Sequence, residues 1–152
     1  VDKVETSLKP VYIWEDLVKE GSSYDFPELD EHETAVVYFT SGTTGLPKAV
    51  HFSHRQVVMQ CIINGLALSA NESPARMSSA DTIMHIPPFF HGMGWTFPYL
   101  ATMLGMKQVL PGRYEPQVML DLIKNEGVTF AGGVPVFLKM LIEHPEAEKY
   151  KD

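Results

Sequence analysis

Residues 40–48, Thr-Ser-Gly-Thr-Thr-Gly-Leu-Pro-Lys, bring together the side chains best suited to chemistry in this chain. Gly42 and Gly45 allow the backbone to approach a ligand closely and to turn its N–H groups toward it. Lys48 adds a mobile positive charge that suits phosphate oxygens. The hydroxyl groups belong to Thr40, Ser41, Thr43 and Thr44. These groups predict a loop that binds a polyphosphate, although the same residue types are also common in exposed turns.

The loop is not a Walker motif. That motif needs Gly-Lys-Ser/Thr opening directly onto a helix, whereas two residues separate Gly45 from Lys48 and apolar residues follow Lys48. The next helix is predicted to begin only near Ser53, because Ser53 and Gln56 have the spacing of a capping box. We therefore expect no helix dipole directly under the loop.

Strand and helix patterns alternate along the chain, which predicts an α/β fold with a mostly parallel sheet and helices on both faces. The predicted strands are 35–39, 49–52, 82–86, 107–110 and 128–131, and the predicted helices are 14–20, 53–66, 93–104, 116–125 and 136–144. The apolar run 35–39 is typical of a buried strand. Helix 116–125 is amphipathic, with Val118, Leu122 and Ile123 on one side. Ligands bind at the carboxyl ends of parallel strands, and loops 40–48, 87–94 and 132–135 each follow a predicted strand.

Composition indicates a globular protein, since 45% of the 152 residues are hydrophobic and 20% are charged. The net charge of −7 lies entirely in residues 1–34, which hold ten acids and three bases. We therefore divide the chain into an acidic lead-in (1–34), an α/β subdomain (35–144) and a polar tail (145–152).

The overall charge argues against a nucleic-acid partner, and no apolar run has the length of a membrane span. Cys61, the only cysteine, fits a reducing, cytoplasmic location.

Residues 38–48 resemble the phosphate-binding signature of the adenylate-forming (AMP-binding) superfamily, which includes acyl-CoA synthetases, firefly luciferase and peptide-synthetase adenylation domains. Ser53-His54-Arg55 matches the triplet that follows this signature, and Ala49 stands where the family usually has Gly. The run Pro88-Phe89-Phe90-His91 resembles the family's second motif. Residues 107–112 and 128–135 resemble medium- and long-chain fatty-acyl-CoA synthetases.

The resemblance implies an ATP-dependent ligase that converts a fatty acid to an acyl-adenylate and transfers the acyl group to CoA, with Mg²⁺ carried by ATP. Residues 40–45 would hold phosphates, and Lys48 and His91 would be the catalytic residues. His91 would lie between the nucleotide and the acyl pocket, and Trp95 would line that pocket. The further pocket wall would consist of Gly132, Gly133, Val134 and Pro135. Core packing for Trp95, a backbone contact for His91 and a plain turn at 132–135 remain the structural alternatives.

Several family motifs are missing from the chain, including Tyr-Gly-x-Thr-Glu, the Ser/Thr-Gly-Asp ribose motif and the C-terminal-domain lysine. Since the chain also begins with Val1, we expect an internal, inactive fragment of the large N-terminal domain of a longer ligase. The alternative is a noncatalytic phosphate- or acyl-binding module. A zinc site formed by His51, His54 and Cys61 is disfavoured, because His51 lies on a predicted strand, the chain has no second cysteine and no further pair has ligand spacing. The sequence leaves open whether a homodimer forms.

Overall fold

The computed structural model of the chain describes residues 7, 9–12, 17–18, 23–41, 45–72, 74 and 76–150. The predicted helix at 14–20 lies outside the described residues, apart from positions 17 and 18. So do Gly42, Thr43 and Thr44 of the predicted phosphate-binding loop. The polar segment 23–33 leads into the first strand.

A two-stranded antiparallel hairpin is the first sheet along the chain. It consists of β1 (Thr34–Thr40) and β2 (Lys48–Ser53). Helix α1 (His54–Ser69) follows directly, and its capping box is present as predicted, with Gln56 N donating to the Ser53 hydroxyl and Ser53 N donating to the side-chain Oε1 atom of Gln56. The hairpin forms a sheet of its own and does not pair with the parallel strands.

The prediction of a buried strand at 35–39 is wrong for the described residues. Only Val36 and Tyr38 are partly covered, whereas Phe39 is 72% exposed. The reason is that β1 has one strand neighbour, β2, and one covered face. The apolar side chains on its other face remain open to solvent.

A three-stranded parallel sheet forms the second structural unit. Strand β3 (Thr82–His85) is central, and it pairs with β4 (Lys107–Val109) on one side and β5 (Phe130–Gly132) on the other. Successive residues of β3 face opposite sides, so Ile83 and Met84 belong to two different apolar clusters. Each cluster contains side chains from helices, which confirms the predicted α/β class with helices on both faces of the parallel sheet.

The helices that cover this sheet are α2 (Gly92–Leu104), α3 (Pro116–Glu126) and α4 (Pro135–Ile142), followed by a 3₁₀ turn at Ala147–Tyr150. Helix α2 packs on the Ile83 side, and α3 and α4 pack on the Met84 side. In α3 the buried residues are Met119 and Leu120, and Leu122 and Ile123 pack against the same cluster. Val118 is 40% exposed. None of the described helices is both long and apolar enough to cross a membrane.

Candidate active site

The described part of the predicted phosphate-binding loop forms the tip of the β1–β2 hairpin. Thr40 and Lys48 are paired across the two strands, and the Thr40 hydroxyl donates to the Lys48 carbonyl at 3.5 Å. Gly45 has a φ of +145°, a conformation that side chains disfavour, so glycine is required here. Ser41 and Lys48 are exposed. The described part of the tip therefore presents to solvent the hydroxyl of Ser41, a glycine with positive φ at position 45 and the amine of Lys48.

The start of α1 is closed to anions. Its first two N–H groups donate to the backbone carbonyls of Glu33 and Glu31, at 3.1 and 2.8 Å. The third donates to the Ser53 hydroxyl. Strand β2 also separates Lys48 from this helix by six residues, about 20 Å at roughly 3.3 Å per residue. The start of α1 therefore does not lie under the loop, as predicted. A phosphate at the hairpin tip would have to be bound by the loop and by Lys48 alone.

His91 stands immediately before α2, in the turn that leaves β3. Its N–H donates to the Pro88 carbonyl at 3.0 Å, and its own carbonyl accepts from Trp95 N at 3.2 Å. Gly94 fixes the distance between the turn and the helix, because a Cβ at this position would lie 2.2 Å from the Pro88 carbonyl oxygen. His91 is therefore held in place by backbone contacts on both sides, and its ring is on the surface.

Trp95 is the centre of an aromatic cluster that joins α2 to the hairpin. It stacks on Tyr38 at a centroid distance of 5.5 Å, and it contacts Phe52 at 6.4 Å and Tyr99 at 6.1 Å. Only 9% of Trp95 is exposed. Burial raises the pKa of the Tyr38 hydroxyl, and the nearby Tyr99 adds to this effect. The cluster couples the hairpin that carries the loop to the helix that follows His91.

A largely apolar groove of about 670 Å³ runs beside this cluster. It lies between β1, α1 and α2, and no carboxylate is among the residues that line it. The lining residues are Ala35, Val36, Tyr38, His54, Val57, Val58, Cys61, Ile62, Phe89, Trp95, Tyr99 and Met103. Trp95 therefore packs in the interior and also borders this groove, and its assignment to an acyl pocket stays a prediction.

The predicted wall at 132–135 lies elsewhere. Gly132 pairs with His85 at the carboxyl ends of β5 and β3 and lines a second, small cavity together with Gly94. Gly133 packs against Ile86, because a Cβ there would lie 3.3 Å from the Ile86 Cγ2 atom. Val134 and Pro135 form the start of α4. None of these four residues lines the groove that Trp95 borders.

Sequence reasoning missed a hydrogen-bond chain at the end of β3 that starts at the buried His85 and runs through the exposed Gln108 and Thr102. The ring of His85, 5% exposed, lies with Nε2 2.7 Å from the Gln108 Oε1 atom, and Gln108 Nε2 donates to the Thr102 hydroxyl at 3.0 Å. That hydroxyl donates to the Pro98 carbonyl at 2.8 Å. The sequence signal that could have revealed this chain is His85 itself, a histidine that directly follows the apolar pair Ile83 and Met84 in a strand.

Metal ligands are not gathered in the described part of the chain. No group of three or more His, Cys, Asp or Glu side chains in this part is arranged to hold a metal ion. The hydroxyls, glycine and lysine of the hairpin tip suit phosphate oxygens, and Mg²⁺ would be held there through the phosphates of ATP. Burial raises the pKa of the Cys61 thiol, which favours the neutral form.

Comparison with known proteins gives consistent results. The sequence profile of the AMP-binding enzyme family matches residues 2–152. Over 131 residues the chain is 40% identical to a medium-chain-fatty-acid–CoA ligase of Ectopseudomonas oleovorans, covering 85% of the chain and 23% of that protein. It is 38% identical to a long-chain-fatty-acid–CoA ligase of Thermus thermophilus, covering 86% and 24% respectively.

A solved structure agrees with this relationship at the level of fold. The o-succinylbenzoate CoA synthetase of Bacillus subtilis, in complex with ATP and magnesium ion, superposes with a TM-score of 0.69 at 27% identity. The match covers 87% of this chain and 27% of that one. The chain thus spans about a quarter of the length of the curated relatives it matches. Family profile, relatives and fold together show that the chain belongs to the AMP-binding enzyme family.

Proposed function

We propose that the chain is part of a fatty-acyl-CoA ligase that activates a carboxylic acid with Mg-ATP and transfers the acyl group from the adenylate to CoA. The observation that carries the proposal is the hairpin tip, where Thr40, Gly45 and Lys48 meet with their polar groups open to solvent. The fatty-acid–CoA ligases among the relatives support the choice of substrate class.

In the first half-reaction, a carboxylate oxygen attacks the α-phosphorus of ATP and pyrophosphate leaves. The phosphate-holding residues proposed are those at positions 40–45 together with Lys48. Negative charge accumulates on the departing pyrophosphate, and a lysine beside it stabilises that charge where it develops. The second half-reaction, attack of the CoA thiol on the acyl carbonyl, releases AMP. Magnesium bound with ATP shields the phosphate charge.

The groove beside Trp95 is proposed as the acyl-chain site. Its apolar lining gives about 0.8 kcal/mol for each methylene removed from water. His91 lies at the start of the helix that carries Trp95 and is proposed to contact the reacting groups between the two sites. The strand-to-helix turn at Gly132, Gly133, Val134 and Pro135 does not line this groove, and we propose instead that it forms a wall of the reaction site on the side of the parallel sheet.

The test is carboxylate-dependent ATP–pyrophosphate exchange by the full-length protein that carries this segment. Lys48→Ala is expected to slow exchange by about 10²-fold or more, the loss typical of removing one charge-stabilising donor. Lys48→Arg should recover part of the rate. Lys139→Ala is the matched control. Lys139 lies on α4 and is exposed, and among the described residues its amine pairs with Glu143, just past the helix. Unchanged exchange in Lys48→Ala would remove this lysine from the site.

The competing function is a noncatalytic phosphate- or acyl-binding module. Full-length protein that binds ATP or fatty acid but exchanges no pyrophosphate with any acid would favour that function. The 152-residue segment alone is expected to show no exchange, because the family motifs for adenine, ribose and the second catalytic lysine are absent from its sequence.

A cytoplasmic location and a homodimeric assembly of the parent ligase are further proposals. The single cysteine, Cys61, is consistent with the first. Fractionation of cells and the mass of the purified protein in solution test them directly.

A further inference from the structure

The hydrogen-bond chain at the end of β3 has a fixed direction. The Pro98 carbonyl can only accept, so the Thr102 hydroxyl donates to it, accepts from the Gln108 amide, and leaves the Gln108 oxygen facing His85. His85 Nε2 must therefore carry a hydrogen. This chain links the central strand, its neighbour β4 and helix α2 through side chains alone.

The same histidine supports the turn that carries His91. Its ring meets Phe89 edge-on at a centroid distance of 5.4 Å, and it lines the small cavity together with Pro87 and Gly94. Gly94 is the residue on which the Pro87–Pro88 carbonyls pack. His85 thus touches the turn from beneath, while α2 holds it from the other side.

We propose that His85 in its neutral form is a positioning residue for the adenylation reaction, holding the Pro87–His91 turn and α2 in register with the parallel sheet. The proposal rests on the proposed function, because the turn matters only if His91 works in the reaction. His85 acts through Phe89 and Gln108 and touches no substrate.

The surroundings of His85 favour the neutral ring. The cavity that it lines is bordered by apolar residues and glycines, and burial lowers its pKa below the ordinary 6.5, against the smaller opposing effect of the Gln108 hydrogen bond. Titratable groups on the packed elements are few. They are Lys107 on β4, which pairs with Glu126, Tyr99 on α2, and His91 in the turn. Strand β5 contributes none among its residues Phe130–Gly132.

Protonation, which sets in only as the pH falls through this lowered pKa, would place a second N–H, on Nδ1, and a positive charge in this apolar cavity. Such a charge is costly without a partner. Relief requires the ring to move toward solvent, which breaks the Gln108 contact and releases Phe89. The turn before α2 would lose its support as the pH falls.

The experiment compares three variants of the full-length protein by pyrophosphate exchange between pH 5.5 and 8. His85→Leu removes the Nε2 donor and with it the link from β3 to Gln108 and Thr102, so kcat should fall about tenfold or more while KM for ATP stays the same. His85→Gln keeps an N–H donor that does not titrate, so it should recover much of the rate and lose the decline in rate that the parent shows as the pH falls through the lowered pKa of His85. Ile83→Val, on the same face of β3, is the control for general core damage.

A readout independent of the reaction is the hydrogen exchange of residues 86–95 at fixed pH, followed by mass spectrometry. Faster exchange there in His85→Leu, but not in Ile83→Val, is expected. Unchanged exchange, an unchanged kcat in His85→Leu, or identical pH profiles for the parent and His85→Gln would overturn the proposal. A parent protein without pyrophosphate exchange would instead refute the proposed function, and hydrogen exchange would still decide whether His85 holds the turn.

Discussion

Replacing Gly94 by alanine should damage both the stability of the protein and the turn that carries His91. The new Cβ would lie 2.2 Å from the Pro88 carbonyl oxygen and 2.8 Å from that of Pro87. An ordinary contact needs at least 3.4 Å, so the turn and the helix must separate by about 1.2 Å. Both obstructing atoms belong to the backbone, so no side-chain rotation can relieve the clash.

The magnitude follows from two opposing effects. Overpacking of this kind costs about 1–3 kcal/mol, and rigid backbone places Gly94→Ala at the upper end of that range. Alanine returns about 1 kcal/mol through its better helix propensity. The net loss in free energy of unfolding should be about 2 kcal/mol. A shift of about 1 Å in the turn that carries His91 should also slow adenylation by about 10²-fold.

The matched control is Gly65→Ala in α1. Its Cβ would lie 2.8 Å from Met103 Cε and 3.0 Å from Leu100 Cδ1, which are the ends of flexible side chains. These can yield, so the helix-propensity gain should leave stability within about 0.5 kcal/mol of the parent or above it. Urea unfolding and pyrophosphate exchange measure both effects. Equal stability and full exchange in both variants would refute the tight packing of Gly94 against the turn.

Three further outcomes follow from other contacts. Thr96→Val should be neutral or stabilising in urea unfolding, because the buried Thr96 hydroxyl has no hydrogen-bond partner among the described residues; a loss above about 1 kcal/mol would reveal a partner. Tyr38→Ala should lower stability and widen the groove, seen as weaker discrimination between short and long acids in KM, whereas Phe39→Ala on the exposed face should do neither. Hydrogen bonds from Thr129 and Ser78 lower the pKa of Asp81 below the ordinary 3.8, so the stability it adds is present above about pH 4 and disappears as the pH falls through the lowered value. Asp81→Asn should therefore be less stable than the parent at pH 7 and equal to it in strong acid.

The secondary structure was predictable to within a few residues because capping and stop signals are local. Ser53 with Gln56 begins α1, and Gly127, in the left-handed conformation, ends α3. The sheet membership of β1 was not predictable in the same way. Its apolar run suggested burial, whereas only the alternating Val36 and Tyr38 are covered, because pairing partners are set by tertiary contacts and not by the run itself.

In the candidate site, too, local sequence features were predictable and long-range contacts were not. Residues 40–48 stood out by type and spacing, and His91 stood out through a motif that resembles the family's; their roles stay predictions. The partners that hold them did not stand out: Tyr38 beneath Trp95, and His85 beneath Phe89, are recognisable only once distant segments meet. Long-range side-chain pairs leave no periodic mark in a sequence.

The hairpin also has a mechanical consequence. Its two strands pair only with each other, so the ribbon is attached to the rest of the described structure at its base, through α1, and at mid-length, through the Trp95 cluster. The end of the ribbon that carries Thr40 and Lys48 therefore lies beyond both attachments, and the contacts with Trp95 decide how that end is placed relative to α2. A substitution of Trp95 is consequently expected to disturb the groove and the placement of Lys48 together.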